Sequence, residues 1–360
     1  MIDESKVRPQ NVDLSPFSPL MEVRRSGRLE LQIFGIMVVD SGTDPRGDEK
    51  SFSLGDADFA IWSRSVLKPW QLLEHMQILK EAYPDLTDEM FALFMASHSA
   101  EDVHLELIDK ILQITGVDES HLQCPQALPQ HHNRAAGKNL DRARRFHNCS
   151  GKHLGYLAAM KALGEDDSHY LDRTNAHQIA LVDLMSRLTH RPRQTFEATI
   201  DGCQLPNLAL SVREIARLYR TLVMPDAYDS DSDSDANARL LAPLMYTYPR
   251  IISGLYRTDY KIMTDEILGK RYAKTCNYKV IAKEGADGIL AGAATPCERY
   301  PQGLSFCIKL SAGFDKKFME LLYRQIMLDA GLIVEKDQDQ DQDQDQELRV
   351  PSHIVNVFCH

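Results

Sequence analysis

Segments with strand character lie near both ends of the chain, and most of what separates them has helical spacing. Residues 29–40 (LELQIFGIMVVD) are rich in β-branched and apolar side chains, and residues 58–62 give a second, shorter stretch. Far downstream, VIAKEGADGILAGAA and GLSFCIKLSAG read as strands around turns. They are followed by a helix with Met319, Leu322, Tyr323 and Ile326 on one face. Strands at both ends with helices between them predict an α+β fold, a mixed or antiparallel sheet built from both chain ends with helices packed on it.

The helical middle carries its own punctuation. Pro69 is tolerated only in or near a first turn, so the helix containing it should start around Ser65. Ser99 with Asp102 resembles a helix-start box, ahead of Leu105, Ile108 and Leu112 and a stop at Gly116. A helix is expected over 152–163, ended by Gly164. Ser211 and Glu214 make another capping box, before Val212, Ile215, Ala216 and Tyr219.

With 360 residues, 43% of them hydrophobic, the chain can bury a full core as one large domain or two. No apolar run approaches the ~20 residues of a membrane helix. The first twenty residues lack the pattern of a secretory signal, so a cytoplasmic protein is expected. A net charge of −11 disfavours nucleic acid or an anionic membrane as partner. Part of that charge sits in two low-complexity segments, DAYDSDSDSDANA and KDQDQDQDQDQE, which cannot bury enough apolar surface to order themselves. The expected layout is an N-terminal extension (1–18), a catalytic domain (19–334) with an acidic loop at 226–237, and an acidic tail (335–360). Seven cysteines, an odd number without tight spacing, read as reduced thiols.

Five short blocks carry reactive side chains. Ser65 and Lys68 are three apart at a helix start, so the amine can reach the hydroxyl. A neutral Lys68 could take the serine proton and return it to a leaving amine, and Arg64 could supply a nearby cation or hold a carboxylate. Such a pair is also what a helix cap followed by a surface lysine looks like. Ser97-His98-Ser99, near Glu101 and His104, reads either as a cap or as a second active hydroxyl. Asn148 to His153 contains Cys149 and Lys152, and Asp201-Gly202-Cys203 follows; two distant cysteines are more often buried thiols than ligands. The Ser-Gly-Lys at 150–152 lacks the glycines of a phosphate loop. Lys283 to Gly288 fits a plain hairpin as well as a site.

Taken together and in this order, SRSVLKPWQ, ASHSAEDVH, NCSGKH, DGCQLP and AKEGADG resemble the rhizobial-type L-asparaginases, the asparaginase II family, with the likeness running over about residues 19–332. The resemblance implies a fold like that of serine β-lactamases and glutaminases. It further implies a homodimer that hydrolyses L-asparagine to L-aspartate and ammonia. By motif, Ser65 would be the nucleophile, Lys68 its base, and Ser97 with Lys283 a second serine–lysine pair. Arg64 and Asp201 would bind substrate, and Cys149, Lys152 and Cys203 match the family's zinc-binding positions, with water completing the coordination.

Departures from the family pattern accompany the match. Leu31 and Ile33 replace a serine and a histidine, Ala100 and Gln204 replace glycines, Tyr248 replaces a histidine, and Ala312 replaces an aspartate. They bear on substrate preference more than on reaction type. Two rivals remain. A penicillin-recognising or peptidase-type Ser-x-x-Lys hydrolase would need a Lys-Thr-Gly strand, for which Lys274-Thr275-Cys276 is the nearest sequence. A catalytically decayed, zinc-stabilised amino-acid-binding protein would keep the fold and lose turnover.

Overall fold

The computed structural model describes residues 13–43, 49–130, 141–224, 233–336 and 347–349. Strands β1 (Ser18–Arg25), β2 (Arg28–Thr43), β3 (Glu49–Leu54) and β4 (Ala60–Trp62) come first. Helices α1 (Lys68–Ala82), α2 (Asp88–Phe94), α3 (Asp102–Thr115), α4 (Ser150–Leu163) and α5 (Ala176–Thr189) follow. Next are β5 (Ala198–Ile200), β6 (Pro206–Ser211), α6 (Val212–Val223), α7 (Asp233–Thr247), α8 (Pro249–Ile252) and α9 (Thr258–Met263). The chain closes with β7 (Tyr272–Lys274), β8 (Val280–Gly285), β9 (Ile289–Ala294), β10 (Leu304–Leu310), α10 (Lys316–Asp329), β11 (Ile333–Glu335) and β12 (Glu347–Arg349).

The main sheet runs β12-β1-β2-β10-β9-β8, with β3 also paired to β2, and all its pairings are antiparallel. The α+β fold is therefore present, with its sheet drawn from both chain ends. Ile36 to Val39 of β2 are buried without alternation, because this half of the strand is covered on both faces. One cover is α6, which packs on β2, β9 and β10. Its capping box is present, Ser211 Oγ accepting from Glu214 N–H at 3.1 Å and the Glu214 carboxylate accepting from Ser211 N–H at 2.7 Å. The face of α10 built from Met319, Leu322, Tyr323 and Ile326 is buried, and the Tyr323 ring lies 5.5 Å from that of Phe306 on β10.

Several local expectations change. Ser99 does not cap α3, because its hydroxyl donates to Ser253 O at 3.1 Å; Glu101 is the cap, in a reciprocal box with His104. The helix expected from 152 begins at Ser150. The expected acidic loop is shorter, since α7 already starts at Asp233 and buries Asn237, which accepts from Lys80 Nζ at 2.8 Å. Residues 225–232, most of that loop, lie outside the described residues, as do residues 1–12 and most of the tail. Within the tail, β12 pairs with β1, Glu22 opposite Arg349. Six cysteines are free thiols, and Cys359 lies outside the described residues. Among the described residues no helix is long and apolar enough to cross a membrane.

Candidate active site

The turn bearing Ser65 is built by the pairing of β4 with β6. Asn207, on β6, accepts at Oδ1 from Ser63 Oγ at 3.1 Å and from Arg64 N–H at 3.0 Å. Tyr219 on α6 donates to Val66 O at 2.9 Å, fixing the other end. Between these anchors Arg64 adopts a left-handed backbone, φ 53°, and residues Arg64–Leu67 form a single 3₁₀ turn before α1. Pro69 falls in the first turn of α1, where its missing N–H costs nothing. The Arg64 guanidinium meets Asp201 Oδ1 at 3.0 Å and Asp287 Oδ2 at 2.9 Å. Ser65 itself is half-buried.

Lys68 is fully buried and donates to Ala96 O at 2.5 Å and Ser97 Oγ at 2.9 Å. Burial lowers its pKa, and the Lys152 charge lowers it further against the opposing pull of Cys149. Ser97 donates its N–H to Ile252 O at 2.9 Å, and Lys283 Nζ reaches the same carbonyl at 3.4 Å. Lys68, Ser97 and Lys283 are thus brought together, with a different pairing from the one expected. Lys68 is bonded to Ser97 rather than Ser65, and Lys283 approaches Ser97 through a shared carbonyl.

Lys283, wholly enclosed on β8, has its pKa pulled down to about 7, chiefly by burial. Asp259 opposes that shift from 3.7 Å and is itself completely buried. Asp259 is held by Arg257 at 3.6 Å, by Glu284 N–H at 3.2 Å and by a hydrogen bond from the Ser253 hydroxyl. Gly285, at the end of β8, lies so close to the Ser65 turn that a Cβ there would sit 3.2 Å from Val66 Cγ1.

Cys149, Lys152 and Cys203 also converge, all buried. Lys152 Nζ lies 3.3 Å from Cys203 Sγ, and Cys203 Sγ lies 3.7 Å from Asp201 Oδ2. The Cys149 thiol is drawn well below its ordinary pKa, first by a hydrogen bond from Cys203 and then by the charges of Lys68 and Lys152. Cys203 is pushed up by the same contact, so the pair shares one proton readily. Two sulfurs and an amine in mutual contact are a donor set suited to a tetrahedral soft metal, provided Lys152 loses its proton. Asp201 links this cluster to Arg64 and so to the Ser65 turn.

A family model described as L-asparaginase II matches residues 21–353. The chain belongs to the L-asparaginase II family. Amide hydrolysis is the reaction class that membership supports. No curated protein matches it. Among solved structures, a Bacillus glutaminase is similar at 13% identity and a TM-score of 0.39, over 83% of this chain and 91% of that one. The carbapenemase VCC-1 from Vibrio cholerae is similar at 10% identity and a TM-score of 0.40, over 85% and 94%. A β-lactamase from Streptomyces albus G gives 16% identity and 0.35, over 84% and 92%.

For an L-asparaginase II chain, the two glycine replacements fall where glycine is most useful. Ala100 has φ 55° and Gln204 has φ 79°, so the left-handed backbone is kept although the residue has changed. Gln204 is exposed and its side chain offers little packing in return. Gln204→Gly is expected to stabilise the fold by about 0.5–1 kcal/mol, the relief of left-handed strain less the added chain entropy, read as a raised Tm. Ile33 lies opposite Met21 in the β1–β2 pairing, and Tyr248 caps α8. Sequence reasoning missed Asn207, Asp259 and Asp287. Asp287 stood inside a recognised block, whereas a lone asparagine and a lone aspartate carry no spacing signal.

Proposed function

We propose that this L-asparaginase II family member hydrolyses L-asparagine to L-aspartate and ammonia through an ester on Ser65. The observation that carries the reading is two buried lysines converging on Ser97, with Lys68 one turn along the chain from the half-buried Ser65. Ser65 Oγ attacks the side-chain amide carbon, and its proton passes to Lys68, directly or by way of Ser97. The tetrahedral adduct collapses as the lysine returns that proton to the departing ammonia. Water then opens the aspartyl ester, with Lys283, neutral above about pH 7, accepting its proton. Arg64 faces the substrate α-carboxylate and Asp201 its α-ammonium, which requires the substrate to compete for the Arg64 ion pairs.

Cys149, Lys152 and Cys203 would hold a zinc ion, with water as fourth ligand. Such an ion would supply a fixed charge that anchors the Asp201 loop. Lys152 then serves as a neutral ligand and Cys149 as a thiolate. The family resemblance also supports a homodimer, which sedimentation of the purified protein would measure.

A penicillin-type reading gains nothing from the structure. Lys274 of the nearest Lys-Thr-x segment is on β7, bonded to Asp265 at 2.6 Å and to Tyr278 O at 3.0 Å, away from the serines. A decayed binding protein would not need two buried lysines held at Ser97, one on its hydroxyl at 2.9 Å and the other on the Ile252 carbonyl that its N–H also meets. The deciding experiment is ammonia release from asparagine, glutamine and related amides, with and without zinc. Asparagine should lead glutamine by about tenfold or more in kcat/KM, the effect of one methylene in a fitted pocket. A lead for glutamine would reject the substrate while leaving the reaction class, and no release from any amide would reject both.

A further inference from the structure

Glu74, His75 and His177 form a buried cluster that the proposed reaction does not use. Glu74 and His75 are consecutive on α1, and His177 stands in the first turn of α5, which packs against α1. The Glu74 carboxylate lies 2.9 and 3.0 Å from His177 Nδ1 and 3.2 Å from His75 Nδ1, so both rings turn the same nitrogen toward one carboxylate. The three side chains are only 7, 2 and 4% exposed. One ligand atom from each residue lies within 4.8 Å of the others.

Two further observations suit a cation. Tetrahedral bonds of about 2.0–2.1 Å to nitrogen and oxygen separate ligand atoms by about 3.3 Å, so an ion replacing the bridging protons needs the present spacing to open by a few tenths of an ångström. The far nitrogen of His177 has no hydrogen-bond partner, but Glu165 Oε2 stands 3.8 Å from it. In the tautomer that ligates through Nδ1, that N–H would donate to Glu165, the carboxylate–histidine–metal arrangement of many metal sites. A cavity of about 490 Å³ reaches the cluster at Glu74 alone, with Gln77, Asp183, Arg187 and Asn237 also in its wall and neither histidine lining it.

We propose that Glu74, His75 and His177 bind a divalent transition metal ion of the zinc class, separately from Cys149, Lys152 and Cys203. The ion would tie α1, whose first residue is Lys68, to α5. The test titrates the metal-free, full-length protein with Co²⁺ alone. Thiolate-bound Co²⁺ shows an intense near-ultraviolet charge-transfer band, whereas imidazole and carboxylate ligands give only weak visible bands. The expected result is one bound equivalent without the thiolate band. That equivalent should persist in Cys149→Ser and weaken at least about a hundredfold in His177→Ala. Glu74→Gln, nearly isosteric, should show the same loss and decides the matter if His177→Ala fails to fold by circular dichroism. Unchanged Co²⁺ stoichiometry and affinity in folded Glu74→Gln, or binding in the parent protein confined to equivalents with the thiolate band, would overturn the proposal.

Discussion

Ser65→Ala is expected to reduce ammonia release from asparagine by about 10⁴-fold or more, the scale on which loss of a covalent nucleophile acts. The geometry makes this a sharper question than the sequence did, because Lys68 holds the hydroxyl of Ser97 at 2.9 Å and so offers a second nucleophile. Access separates the two. Ser97 is 1% exposed and locked between Lys68 and Ile252, whereas Ser65 is only half-buried. A side chain that must reach an amide carbon has to meet the substrate, and of the pair Ser65 is the more exposed. Ser97→Ala should lose about 10²–10³-fold, the contribution of a proton relay rather than of a bond-forming group. Mass spectrometry of acid-quenched enzyme would place the aspartyl ester on the peptide containing Ser65. An ester on the peptide containing Ser97, or full activity in Ser65→Ala, would exchange the two roles.

How much of this was legible in the sequence depended on whether local pattern or distant packing set each feature. The strands at 29–40 and 280–294, the box at Ser211 and Glu214, and the apolar face of α10 were all readable, because each is fixed by residues a few positions apart. Ser99 misled because a cap and a tertiary hydrogen bond use the same hydroxyl, and only the approach of Ser253 decides between them. The candidate site residues stood in readable blocks, yet the contacts among them did not follow from those blocks. Ser65 and Lys68 are one turn apart in sequence, but Lys68 points across to the segment after α2. That choice follows from burial: a fully enclosed amine takes the nearest acceptors, and these are Ala96 O and Ser97 Oγ. Asp259 lay beyond any motif because its role comes from the packing of α9 on β8.

That packing sets the second large expected effect, in pH dependence. Lys283 has a folded pKa of about 7, so above that value it is neutral and able to accept a proton, and below it the amine is blocked. If Lys283 is the base for ester hydrolysis, activity should rise with pH through about 7 and then level, and Lys283→Met should lower the plateau by about 10²–10⁴-fold. Activity that instead falls as pH rises through 7 would make Lys283 a proton donor. Stability carries the same sign. The unfolded chain holds this proton up to about 10.4, so between about 7 and 10.4 it binds more protons than the folded one, and stability rises with pH across that window. Asp259 supplies the main electrostatic pull that keeps the Lys283 pKa from falling further. Asp259→Asn should therefore move the rising limb of the rate profile to lower pH. A structural role for Asp259 alone would lower the amount of folded enzyme and leave the position of that limb where it was.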